Sequence, residues 1–257
     1  MRFLRYALGE VVLVVIGILV ALQINNWNEE RIEQKEIRQY ALNLSAAIER
    51  DMEMLVPVEM QIRSSIRQAE ELANYLRGRA VEDMDNADLF FLTTSFGYRS
   101  YAWNRAALEQ LKTSGGLRQM RNDRLVQLIS DYDALTQHLD QDYREDEEST
   151  RAMSNLVNQL VDLNYPPDGL AEVLEWEDGF TLTDIERRLT LFRETDAYKS
   201  LAAMEWPLLS QELAGFRRLA NLSRDYADSA RARPDIELPR LGQFAAEIQA
   251  LIDAEYR

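Results

Sequence analysis

Apolar residues recur at intervals of three and four over most of this chain, and one long apolar run near its start breaks the pattern. That run, Tyr6 to Ile24, reads YALGEVVLVVIGILVALQI, nineteen residues interrupted only by Glu10 and Gln23. At 1.5 Å per residue it makes about 28 Å of helix, close to the thickness of a bilayer's hydrocarbon core. A cleaved leader would place small residues at alternate positions after the apolar core; Val20-Ala21-Leu22-Gln23-Ile24 does not, so the run is expected to be an uncleaved transmembrane anchor. Tyr6 and Trp27 stand twenty-one residues apart and are expected to mark the two interfaces. Arg2 and Arg5 precede the span with no acid beside them, which sets the amino terminus in the cytoplasm and residues after about Asn28 outside it.

Glu10, Val14, Gly17 and Ala21 share one face of the span. Gly17 and Ala21 form a small-x-x-x-small pair, which lets membrane helices approach closely, so this face is the expected packing surface for a second copy or another membrane protein. Glu10 lies one turn inside Tyr6, where its carboxylate reaches headgroup water; interhelical hydrogen bonding and proton or ion handling are the alternatives.

Beyond the span the helical spacing continues. Ile37, Ala41, Leu44, Ile48, Met52 and Leu55 extend the anchor as one helix to Pro57, where proline is expected to end it. Ile62, Ile66, Ala69, Leu72 and Leu76 predict a second helix over 58–77, and further helices follow at 87–96 and 101–113. Ser114-Gly115-Gly116 terminates the last of these, and Asn122 or Asp123 caps a helix of some forty residues that stops before Pro166. Turn-rich residues 166–181 precede helices from Thr183 to Arg193 and over 197–230, while Pro234 and Pro239 bracket a linker before a closing helix, Leu241 to Tyr256. Strand-like alternation is absent. The expected fold is all-α: a transmembrane anchor, residues 1–28, continuing into an extracytoplasmic antiparallel helical bundle, residues 29–257.

Composition narrows the chemistry. Ten Gly and six Pro in 257 residues suit a chain that is mostly helix. The formal net charge of −15 opposes nucleic-acid binding, which needs clustered cations. It belongs to the part beyond the span: residues 25–257 hold 27 cations against 43 acids. With no cysteine there is no thiolate nucleophile and no disulfide, and with His138 alone no two-histidine metal motif. The acidic run Asp140 to Glu148 lacks the glycine of a calcium loop, so it reads as a solvated helix face and His138 as a helix-surface residue. Tyr98, Arg99, Tyr101, Trp103 and Arg105 interleave aromatics with cations, the one place suited to stacking on and clamping an anionic or aromatic ligand; a helix start packed in the bundle is the competing reading. No catalytic motif appears, and no enzyme activity, cofactor or metal is expected.

The stretch ALGEVVLVVIGILVALQINNWNE, residues 7–29, resembles the amino-terminal signature of an uncharacterised bacterial family of single-pass membrane proteins, a domain of unknown function (DUF6090-like). Leu111 to Leu117, with Asn122, Asp123 and Leu125, resembles a second pattern of that family. The resemblance implies a bacterial inner-membrane protein with a helical periplasmic part and implies no activity. The expected function is a non-catalytic interaction, scaffold or sensor-like accessory subunit. A ligand-binding bundle and an oligomeric pore or ion-coupled assembly using Glu10 are the alternatives.

Overall fold

The computed structural model describes residues 2–78, 85, 87–88, 101–160, 190–203 and 213–256, with the side chains of 2–12, 14, 78 and 213 outside that description. Among the described residues every regular element is helical. In chain order these are α1 (Arg2–Gly78), α2 (Ala106–Thr113), α3 (Gly116–Gln119), α4 (Asp123–Leu160), α5 (Asp196–Ala202), α6 (Leu213–Ala230), a π-helical turn (Arg233–Glu237) and α7 (Leu238–Tyr256). The expected helices at 87–96 and from Thr183 fall largely outside the described residues.

Pro57 does not end the first helix. α1 runs through it to Gly78, correcting the expected break. Proline there removes one N–H and deprives the carbonyl of Glu53 of its partner, but both positions are exposed, so water can serve that carbonyl. Val58, directly after the proline, is buried.

The expected linker at Pro234–Pro239 is likewise helical. A π turn spans Arg233–Glu237, closed by the Leu238 N–H donating to the Arg233 carbonyl, and α7 starts directly after it. Prolines fit because each stands in the first turn of its element. In a π ladder the Pro234 carbonyl would look to the N–H of residue 239, which is a proline. Arg63 Nη2 donates to that carbonyl instead, at 2.9 Å.

The helix termini expected at 113–123 are present. Gly115 adopts a left-handed φ of 79°, a conformation costly for any residue with a Cβ. The Asn122 side chain accepts from the Leu125 N–H at 3.0 Å, capping α4.

The chain divides into two compact units: Met1–Arg50, Asn104–Ser130 and Ala245–Arg257 form the first, Asp51–Trp103 and Asp131–Phe244 the second. In the first, Ile37, Ala41, Leu44 and Ile48 of α1 are at most 1% exposed and join Leu108, Leu111, Leu125 and Ile248 in an apolar core. In the second, Ile62, Ile66, Ala69, Leu72 and Leu76 are buried, together with Met153, Phe216, Leu219 and Leu241. Leu160 takes up the space beside Gly215: its Cδ2 would stand 2.5 Å from a Cβ there, so a larger residue at that position requires the Leu160 side chain to move. On α1 these are the stripes the helical spacing predicts, except that Met52 and Leu55 are only half-buried.

The start of α1 contrasts with its continuation. Every described side chain from Leu13 to Glu36 is exposed, among them Ile18, Leu22 and Trp27, and burial begins only at Ile37. Among the described residues no helix is long and apolar enough to cross a membrane. The expected span reaches back into residues 6–12 and 14, whose side chains lie outside the description.

Candidate functional site

Of the residues singled out in the sequence, Tyr98 and Arg99 lie outside the described residues, as do the side chains of Tyr6, Glu10 and Val14. Gly17, Ala21 and Trp27 are exposed on α1. Tyr101 and Trp103 are brought together in the second unit, rings edge to face with centroids 4.8 Å apart. Trp103 is only 6% exposed, and the Tyr101 hydroxyl donates to Asp51 Oδ1 at 3.0 Å. Tyr132 donates to the other oxygen of Asp51 at 3.1 Å, so a fully buried carboxylate is held by two phenols. Burial and the hydrogen bond to Asp51 push the Tyr101 phenol up to about 12. Arg105 is half-buried and belongs to the first unit.

The densest chemistry lies elsewhere in the second unit, on the acidic run of α4. There the expectation of a solvated face holds for Glu145, Glu147 and Glu148, which are exposed, and fails for Asp142 and Asp146. His138, Asp142 and Asp146 stand four residues apart and so form one stripe along α4. Against it the π turn places Arg233 and Glu237. Arg233 Nη2 lies 3.0 Å from Asp146 Oδ1, with the two side chains 4% and 2% exposed. The same nitrogen donates to the Asp142 carbonyl at 3.1 Å, and Nη1 reaches the Ser229 carbonyl at 3.4 Å. Asp142 Oδ2 stands 4.0 Å from Arg233 Nε and 3.6 Å from His138 Nε2, and Glu237 Oε1 is 3.4 Å from His138 Nε2.

Local sequence explains why the π turn puts both partners there. An i→i+5 bond widens the helix by one residue, which rotates Arg233 and Glu237 relative to where an α-helix would carry them. Arg63 pins the turn from α1, bonding Asp235 Oδ1 at 2.7 Å as well as the Pro234 carbonyl.

Charge in the cluster is unbalanced. Three carboxyls face one guanidinium and a histidine, and all but the histidine are largely shielded from solvent. Desolvation pushes Asp146 up to about 7 against the pull of Arg233, with Asp142, Glu145 and Glu237 adding repulsion. Burial raises Glu237 too, and Asp142 at hydrogen-bonding reach raises it further. Tyr143, on the same helix, is raised chiefly by burial. Asp146 Oδ2, Glu237 Oε2 and Arg233 Nε are buried without a hydrogen-bond partner among the described residues. The donor atoms of His138, Asp142 and Glu237 all lie within 4.8 Å of one another, close enough for one ion to touch all three.

Fold and site together define an all-helical bundle protein with an ionic centre inside one of its two units. Residues 10–115 match the model of a family described as "Family of unknown function (DUF6090)". The match takes in most of the first patch that carried the resemblance and reaches into the second, so this stretch of the chain is DUF6090-like. No curated protein and no solved structure matches the chain.

Proposed function

We propose that this protein is a single-pass inner-membrane protein whose helical bundle stands on the periplasmic side and acts by interaction, as a scaffold or sensor-like accessory subunit. The observation that carries this reading is the change in burial along α1. Along one uninterrupted helix every described side chain from Leu13 to Glu36 is exposed, many of them large and apolar, and then Ile37, Ala41, Leu44 and Ile48 are buried completely. Leaving Ile16, Ile18, Leu19, Val20, Leu22 and Ile24 half-open to water costs each of them roughly 1–2 kcal/mol of hydrophobic burial that lipid would supply. Trp27, stacked by Arg31 at 5.8 Å, has the amphipathic character of an interfacial residue.

Gly17 supports a partner within the membrane. A Cβ built there would meet nothing of its own chain within 4 Å, so the chain's own packing does not require a glycine. The Gly17–Ala21 face is the surface through which a second copy or another membrane helix would approach.

Two measurements test the reading on the full chain expressed in bacterial cells. After an alkaline carbonate wash the protein is expected in the membrane pellet; recovery in the supernatant overturns the anchor. The chain has no cysteine, so a single exposed one, Glu33→Cys, reports its side of the membrane without background. Labelling of intact cells by a membrane-impermeant maleimide is expected, and labelling only after lysis reverses the orientation.

A further inference from the structure

We propose that His138, Asp142 and Glu237 form a binding site for a divalent transition cation of the zinc class, closing the α4 stripe onto the π turn. The two distances from His138 suit such an ion. With metal–nitrogen and metal–oxygen bonds near 2.0–2.2 Å, the edges of a tetrahedral site are about 3.4 Å. Here His138 Nε2 lies 3.4 Å from Glu237 Oε1 and 3.6 Å from Asp142 Oδ2. The ligand types decide the ion's class: an imidazole alongside two carboxylates suits zinc and its neighbours, whereas calcium and magnesium take oxygen ligands. Three protein ligands leave a fourth position for water.

Burial supplies the route and the reason. The His138 side chain is 55% exposed and opens the site to solvent, while Asp142 and Glu237, at 13% and 14%, hold it from within. Independent of these ligands, Asp146 one turn further along the stripe is 2% exposed, and its Oδ2 has no hydrogen-bond partner among the described residues. The single guanidinium of Arg233 therefore serves three buried or half-buried carboxyls, and a cation on the His138 side supplies the missing positive charge. Arg233 meanwhile holds the Asp142 backbone carbonyl, fixing the turn of α4 that carries that ligand. Both arms of the site lie within the second unit, so the bound ion would tie residues 138–142 to residue 237 across that unit's interior. The inference does not depend on where the protein resides.

Because His138 is the only histidine, the test needs no background correction. The untagged full-length chain, stripped with chelator, is titrated with Zn²⁺ at neutral pH while the ¹⁵N signals of its one imidazole are followed. One equivalent is expected to bind, with the Nε2 resonance moving to a metal-ligated position and the melting temperature rising with zinc concentration. His138→Asn, a change on an exposed helix face, is expected to weaken binding by about tenfold or more at unchanged helicity, and Glu237→Gln to do the same. Zinc binding that leaves the imidazole signal in place, no binding at all, or equal affinity in His138→Asn overturns the site. Displacement of zinc by equimolar Ca²⁺ or Mg²⁺ overturns the class of ion.

Discussion

Two arginine–carboxylate pairs of nearly equal length lie in opposite settings. In the first unit Arg124 Nη2 meets Glu247 Oε2 at 2.7 Å with side chains 60% and 52% exposed; in the second Arg233 meets Asp146 at 3.0 Å with almost nothing exposed. The contrast extends to the units themselves. Among the described residues Ser45 is the buried polar side chain of the first unit, whereas Asp51, Asp88, Asp146 and Arg233 are all buried in the second. The first closes on hydrocarbon and, among its described residues, buries no charged side chain whole, Arg105 being half-buried. The second takes ions inside, where each loses its hydration and must recover the cost through geometry. An apolar core of the same volume would often hold a bundle as well, so stability alone does not account for the ionic interior of the second unit. The cation site proposed at His138 is one account of what that is.

The sharpest break comes from removing the guanidinium. Arg233→Met keeps much of the side chain's apolar length but leaves Asp146, Asp142 and Glu237 facing one another without the guanidinium, with His138 alone beside Asp142 and Glu237. The expected loss is about 3–5 kcal/mol in urea unfolding above neutral pH, the range for an orphaned buried charge. It should shrink in mild acid, where Asp146 takes up a proton. A loss below about 1 kcal/mol would mean that water reaches the cluster and that the two units do not differ in kind.

A second test sharpens the comparison through pH. In the folded state Asp146 is pushed up to about 7, from an ordinary value of 3.8. Between those values the folded chain binds more protons than the unfolded one, so stability falls as pH rises from about 4 to about 7 and levels off beyond. The groups facing it are Arg233, Asp142, Glu145 and Glu237, with Tyr143 and Tyr226 close enough to feel its charge. The loss across that window should be a few kcal/mol at most, each pKa unit being worth about 1.4 kcal/mol. Metal-free protein is required, and Asp146→Asn should flatten the profile. An unchanged slope in that variant would place its origin at another carboxyl.

What the sequence disclosed follows the same division. Apolar stripes such as Ile37–Ile48 and Ile62–Leu76 are legible because burial by hydrocarbon repeats with the helix, and Gly115 and Asn122 are legible because turns and caps have their own chemistry. Three prolines misled, since Pro57 sits where water can satisfy the carbonyl it strands, and Pro234 and Pro239 fall in first turns. Arg63, which takes the stranded Pro234 carbonyl, is 171 residues away along the chain, a relation no local pattern contains. The candidate site was hidden by being read along the chain. Asp140 to Glu148 tested as a linear loop fails, whereas at helical spacing His138, Asp142 and Asp146 align opposite Arg233 and Glu237. That signal was present, but charged residues at helical spacing usually mark a wet face, and only the tertiary structure separates the buried members from Glu145, Glu147 and Glu148. Tyr101 and Trp103, by contrast, do lie together, with Tyr101 turned to Asp51.

The smallest expected effect bears on the exposed half of the comparison. Arg124→Ala removes the partner of Glu247 but leaves both ends of the lost contact in solvent, where water replaces what the ion pair gave. The change should cost under about 1 kcal/mol, and added salt should shrink it further, because charges in water are screened over roughly a Debye length of 10 Å. Arg124 sits in the first turn of α4, where a cation opposes the helix dipole, so part of the loss is offset by relief of that repulsion. Urea unfolding of this variant at low and at high salt, beside Arg233→Met under the same conditions, separates the two settings directly. The Arg233→Met loss should hardly respond to salt, since ions cannot enter a pair only 2–4% exposed. A salt-insensitive loss of several kcal/mol at Arg124 would show that the first unit also depends on an ionic contact, and that exposure in the folded chain is no guide to what that contact contributes.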